Sequence, residues 1–117
     1  MATAAELAGA KVPANLDSIS FVPTLFGRDS EQQQHEFLYW EFHERGFSQA
    51  ALYQGRWKGI RERDPSAPLA VYDLQHDIAE KHDVSAKYPN ITAALNRYLQ
   101  TARQESPDWP IKQAKSK

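Results

Sequence analysis

Between Phe37 and Leu74 short strand-forming runs alternate with glycine or proline breaks, and that rhythm constrains the fold more than any other feature. Phe37–Glu44 (FLYWEFHE) is dense in aromatic and strand-forming residues, and Gly46 marks a turn. Ser48–Gln54 returns, Gly55 turns again, and Arg56–Arg63 (RWKGIRER) makes a third run. Asp64-Pro65-Ser66-Ala67-Pro68 breaks the chain before Leu69–Leu74 (LAVYDL), the fourth run. Connections this short predict a four-stranded antiparallel meander with one buried face. Beyond it, Pro89 suits a first helical position. Ile91, Leu95, Tyr98, Leu99 and Ala102 then recur at helical spacing. This predicts a helix over about Pro89–Gln104 packed on the sheet, an α+β arrangement.

The remaining chain is sparser in signals. Residues 2–10 (ATAAELAGA) favour helix, with Gly9 as a stop, but two turns are too few to stand alone in water. Residues 11–20 hold Pro13, Asn15 and Asp17 and read as loop; a single helical turn starts at Pro23, and residues 28–36 read as an exposed connection. Residues 105–117 form a solvated tail anchored by Trp109.

At 117 residues the chain fits one small domain, and its 5 Phe, 5 Tyr and 3 Trp are bulky enough to build a core. A net charge of −1 gives no footprint for nucleic acid or an anionic membrane, and no apolar run approaches the roughly 20 residues of a membrane span. The opening MATAAELAGAK lacks the charged-then-apolar profile of a signal peptide. The absence of Cys excludes disulfides, zinc thiolates and a Cys nucleophile within this chain.

Residues that could carry chemistry have simpler readings. His35, His43, His76 and His82 form no tight ligand pair, and they read as surface or loop residues. Asp73, Asp77, Glu80 and Asp83 lack the alternating oxygens and central glycine of a calcium loop; turn formation and helix capping explain them better. Tyr39, Trp40, Phe42, Trp57 and Tyr72 could stack on sugars, but a sheet face buried under the helix uses the same residues. No phosphate-binding loop, nucleophile elbow or Ser/His/Asp arrangement is visible.

One stretch is nevertheless distinctive. HEFLYWEFHERGFSQAALYQGRWKGIRE contains Tyr39-Trp40-Glu41-Phe42, Gly46 and Gly55-Arg56-Trp57-Lys58 in that order. It resembles the C-terminal region of arylsulfatase-type sulfatases, formylglycine-dependent sulfuric ester hydrolases of the alkaline-phosphatase-like superfamily. The flanks LAGAKVPANLDSISFVPTLFG and VYDLQHDIAEKHDVSAKYP, and PDWP near the end, fit the same family, with Ile78 in place of the proline usual in its aspartate-proline-x-glutamate turn.

The resemblance implies that residues 1–27 are the tail of a catalytic-domain boundary and linker, and 28–117 the C-terminal subdomain. The family's nucleophile is a formylglycine matured from Cys or Ser in a C/S-x-P-S-R motif, beside a divalent cation, usually calcium. Neither is expected in this chain, because Ser66-Ala67-Pro68 lacks the following Ser-Arg. The implied role is non-catalytic: docking on the catalytic domain of the same parent chain and walling its sulfate-ester pocket, with His43, Glu44 and Arg45 at the hairpin tip reaching the substrate. The parent would be periplasmic or secreted. A stand-alone carbohydrate-binding or protein-interaction module is the alternative, and the isolated chain could pair with a second copy.

Overall fold

The structure, a computed structural model, describes residues 1–111. The lysine-rich end of the tail, 112–117, lies outside the described residues. The chain forms two compact units, Met1–His35 and the residues from Glu36 onward.

In the first unit, α1 (Ala2–Leu7) and α2 (Val22–Leu25) precede a 3-10 turn at Asp29–Glu31. Gly9 follows α1 at φ +66°, and Pro23 lies in the first turn of α2, both as the sequence suggests. Helices this short need external ties. The Phe21 amide donates to Thr3 Oγ1 at 3.1 Å, and the Gln32 side chain donates to the Ser20 carbonyl and accepts from Thr24 Oγ1, both at 2.9 Å. Ala2 and Val22 are the buried apolar residues of this unit.

The second unit is the expected meander and helix. Strands β1 (Phe37–Phe42), β2 (Ser48–Tyr53), β3 (Trp57–Arg61) and β4 (Ala70–Asp73) pair antiparallel in chain order. Helix α3 spans Pro89–Thr101 and so ends slightly before the expected Gln104. The register Phe37↔Tyr53, Tyr39↔Ala51, Ala51↔Gly59 and Gly59↔Val71 puts these residues on one face. Leu95 and Leu99 of α3 close over that face to form a core with Ala51, Trp57, Leu69 and Val71. Gly59 permits the close approach: a Cβ there would stand 3.2 Å from Leu95 Cδ1. Phe37 stacks between Tyr53 and Tyr98, at centroid distances of 4.5 and 4.2 Å.

The expectation that the meander's aromatics share this buried face is corrected by the same register. Leu38, Trp40 and Phe42 alternate with Phe37, Tyr39 and Glu41, so they point to the opposite face. There Trp40 is 51% and Phe42 57% exposed, beside half-buried Ala50, Leu52, Ile60, Ala70 and Tyr72. A run this dense in aromatics looks fully buried, yet only alternate members meet the helix.

The carboxylates after β4 build turns. Asp77 accepts from the Lys81 and His82 amides at 2.8 Å, and Asp83 from the Val71 and Ser85 amides at 3.0 and 2.8 Å. None caps α3, whose N-cap residue is Tyr88. Among the described residues no helix is long and apolar enough to cross a membrane.

Candidate functional site

The β1–β2 connection is a tight tip. Arg45 and Gly46 both take positive φ, at 58° and 113°. A Cβ on Gly46 would stand 2.7 Å from the Arg63 carbonyl oxygen, so the tip lies against backbone and glycine is required. Phe47 is buried beneath it. The His43 ring meets Phe47 edge-on at 5.3 Å and faces Trp109, tilted, at 5.9 Å.

Around these rings runs an open groove of about 480 Å³, lined by His43, Glu44, Arg45 and Phe47 from the tip and by Asp108 and Trp109 from the tail. All three residues singled out at the tip from sequence therefore line one concavity. The register of β1 alone could not show that the tail completes it.

An ionic network around the Arg103 side chain lies next to the groove. His43 Nε2 lies 3.1 Å from Glu41 Oε1, and Tyr39 donates its hydroxyl proton to Glu41 Oε2 at 2.9 Å. Arg103, 8% exposed, sets Nε 3.1 Å from Glu41 and Nη1 2.5 Å from Glu105, and donates from Nη2 to the Trp109 carbonyl. Burial opposes ionisation of Glu41, but hydrogen bonds from His43 and Tyr39 outweigh it, and its carboxyl lies below its ordinary value. Burial, with the neighbouring Glu41, raises the Tyr39 phenol. Arg103 escaped sequence reasoning, because its position at the end of an amphipathic helix gives no hint of two carboxylates around it.

A second polar cluster closes the other end of the sheet. Arg56 grips Asp73 with Nε and Nη2 at 2.8 and 2.7 Å, and His76 Nδ1 lies 2.8 Å from the same carboxylate. The Arg56 guanidinium holds the Asp73 carboxyl far below the usual carboxylate range. Lys58 Nζ contacts both Glu80 oxygens at 2.6 and 2.7 Å. Beside this cluster His82 and Asp77 form a 3.3 Å pair in a shallow groove. His35 is exposed in the first unit. Among the described residues no three His, Asp or Glu side chains gather as a metal site.

No protein-family model matches the chain. Among curated proteins it is 28% identical over 107 residues to Arylsulfatase K of Bos taurus, a match covering 85% of this chain and 20% of that protein. Among solved structures, Ps i-CgsB in complex with k-i-k-neocarrahexaose superposes with a TM-score of 0.73 at 26% identity, over 95% of this chain and 25% of that one. A 2-O GAG sulfatase superposes with a TM-score of 0.65 at 24% identity, over 94% and 26% respectively. The chain thus spans about a fifth of the curated relative's length and about a quarter of each solved one. In sequence it is similar to part of Arylsulfatase K, and in fold to part of each of these solved proteins.

Proposed function

We propose that these residues serve as the non-catalytic C-terminal subdomain of a sulfuric ester hydrolase. In this reading the outer sheet face packs on the catalytic domain carried by the rest of the polypeptide, and the hairpin tip walls one side of its substrate pocket. The observation that carries it is the apolar strip Leu38, Trp40 and Phe42, left exposed on a sheet whose other face is covered by α3. The curated relative is about five times as long as the part this chain matches, and a parent of that length would carry polypeptide able to cover that strip.

His43, Glu44 and Arg45 are the residues that would reach the substrate, at the rim of the groove. The saccharide bound by a similar solved protein supports an oligosaccharide as the body of the substrate. The calcium and formylglycine implied by the family would belong to the remainder of the polypeptide, since Ser66-Ala67-Pro68 runs on into Leu69-Ala70. The whole enzyme would work in the periplasm or outside the cell. As a stand-alone product, the same exposed strip would instead make the chain a carbohydrate-binding or protein-interaction module.

The test is kinetic, in the full-length polypeptide carrying this chain. Replacing His43, Glu44 and Arg45 together by Ala is expected to raise KM for a bulky sulfate ester about tenfold, with kcat largely kept. An unchanged KM would remove the tip from the pocket.

A further inference from the structure

The tail residue Trp109 is tied down by its backbone, through its carbonyl on Arg103, whereas the residue as a whole is left 64% exposed. Anchoring therefore does not explain the indole. The ring forms an open corner with His43, the planes inclined at 52° and the centroids 5.9 Å apart, so one aromatic face stays free within a groove of about 480 Å³. His43 is not free to swing away. Its Nε2 faces the Glu41 carboxylate, which Tyr39 also holds, so the outer edge of the ring with Nδ1 stays available for a hydrogen bond.

The remaining polar groups of the groove are Glu44, Arg45 and Asp108. Planar carboxylate and guanidinium groups suit paired hydroxyls, each offering two acceptors or two donors side by side. Their charges decide what else can enter. Two carboxylates stand against one guanidinium, and Arg103 beneath is already matched by Glu41 and Glu105. A sulfate would meet net repulsion here, while a neutral ring with an apolar C–H face and hydroxyl edges fits both the indole and the rim.

We propose that the hairpin-tip groove is a subsite for an uncharged hexopyranose ring, stacked on Trp109 and hydrogen-bonded by His43, Glu44, Arg45 and Asp108. It rests on the reading of the tip as a wall of the substrate pocket, and assigns that wall to the part of a glycan that carries no sulfate.

The three tryptophans make this testable in the chain itself, because each reports a different place: Trp109 the groove, Trp40 the outer sheet face and Trp57 the core. The 15N-labelled 117-residue protein is titrated with neoagarotetraose, chitotetraose and cellotetraose, all neutral, and with a sulfated carrageenan tetrasaccharide. Saturable shifts of the Trp109 indole N–H and the His43 ring are expected for at least one neutral sugar, with a Kd of about 1–10 mM. The sulfated sugar should bind more weakly. Trp109→Ala should weaken binding about tenfold and Trp109→Phe much less, with the Trp57 signal unmoved in both. No shift at Trp109 with any neutral sugar, tighter binding of the sulfated one, or shifts confined to Trp40 would each overturn the proposal. None of these results alters the kinetic test above, so the subsite can fail while the pocket wall stands.

Discussion

Asp73 gathers more of the second unit's polar order than any other residue. Its carboxylate receives both arms of Arg56, the His76 ring and the Gln75 amide while its side chain is 9% exposed. Such a group is held ionised in the fold, with its pKa below the unfolded value of about 3.9. The stability it contributes is complete above that unfolded value and is lost as pH falls toward the lower folded one. Urea midpoints measured between pH 5 and pH 2 should therefore drop steeply in the wild type. In Asp73→Asn, already less stable at pH 5, the drop should be shallower. Equal slopes would mean that other carboxylates carry the acid sensitivity. In the sequence Arg56 and Asp73 stand in two different runs, with Asp73 grouped among the turn-forming carboxylates; only the Trp57↔Asp73 pairing brings them together.

At the scale of the element, β1 shows how a periodic signal can be half read. Its aromatic density announced a strand correctly, and the glycines after it announced the turns. Density could not say which residues would be covered, because alternation sends Phe37 and Tyr39 toward α3 and Trp40 and Phe42 away from it. The helix was clearer, since Leu95 and Leu99 stand on the stripe its spacing defined. Leu95 is fully buried against Gly59, so Leu95→Ala should cost about 2–5 kcal/mol through lost contacts and an unfilled cavity. Gly59→Ala errs the other way: its methyl group would press on Leu95 and Leu69, at a cost of about 1–3 kcal/mol. Chemical denaturation of both variants checks this. A neutral Gly59→Ala would show that α3 can shift outward freely.

For the whole molecule, the outer face separates what folds the chain from what the chain is for. Trp40 and Phe42 are absent from the core cluster that Leu95 and Leu99 build. Replacing both with Asp should leave urea stability within about 0.5 kcal/mol, as for surface positions generally. The same change should abolish concentration-dependent self-association of the isolated chain in sedimentation velocity, since an exposed apolar sheet face seeks any cover available. A large loss of stability would instead make the outer face a second core, and the docking role would fall.

The sequence by itself determined the elements: four short strands, their order, the turns at Gly46 and Gly55, and a helix with one apolar stripe. These follow from local chemistry, where periodicity and backbone freedom act over a few residues. The order of Tyr39-Trp40-Glu41-Phe42, Gly46 and Gly55-Arg56-Trp57-Lys58 also sufficed for the resemblance to sulfatases. Tertiary structure alone decided which sheet face is covered and which carboxylate each arginine meets. It alone decided that Trp109, more than sixty residues beyond His43, closes the groove at the hairpin tip. Those outcomes depend on register and on distant segments arriving at one place. No window of the sequence contains them, because burial and ion pairing are set by neighbours in space rather than along the chain.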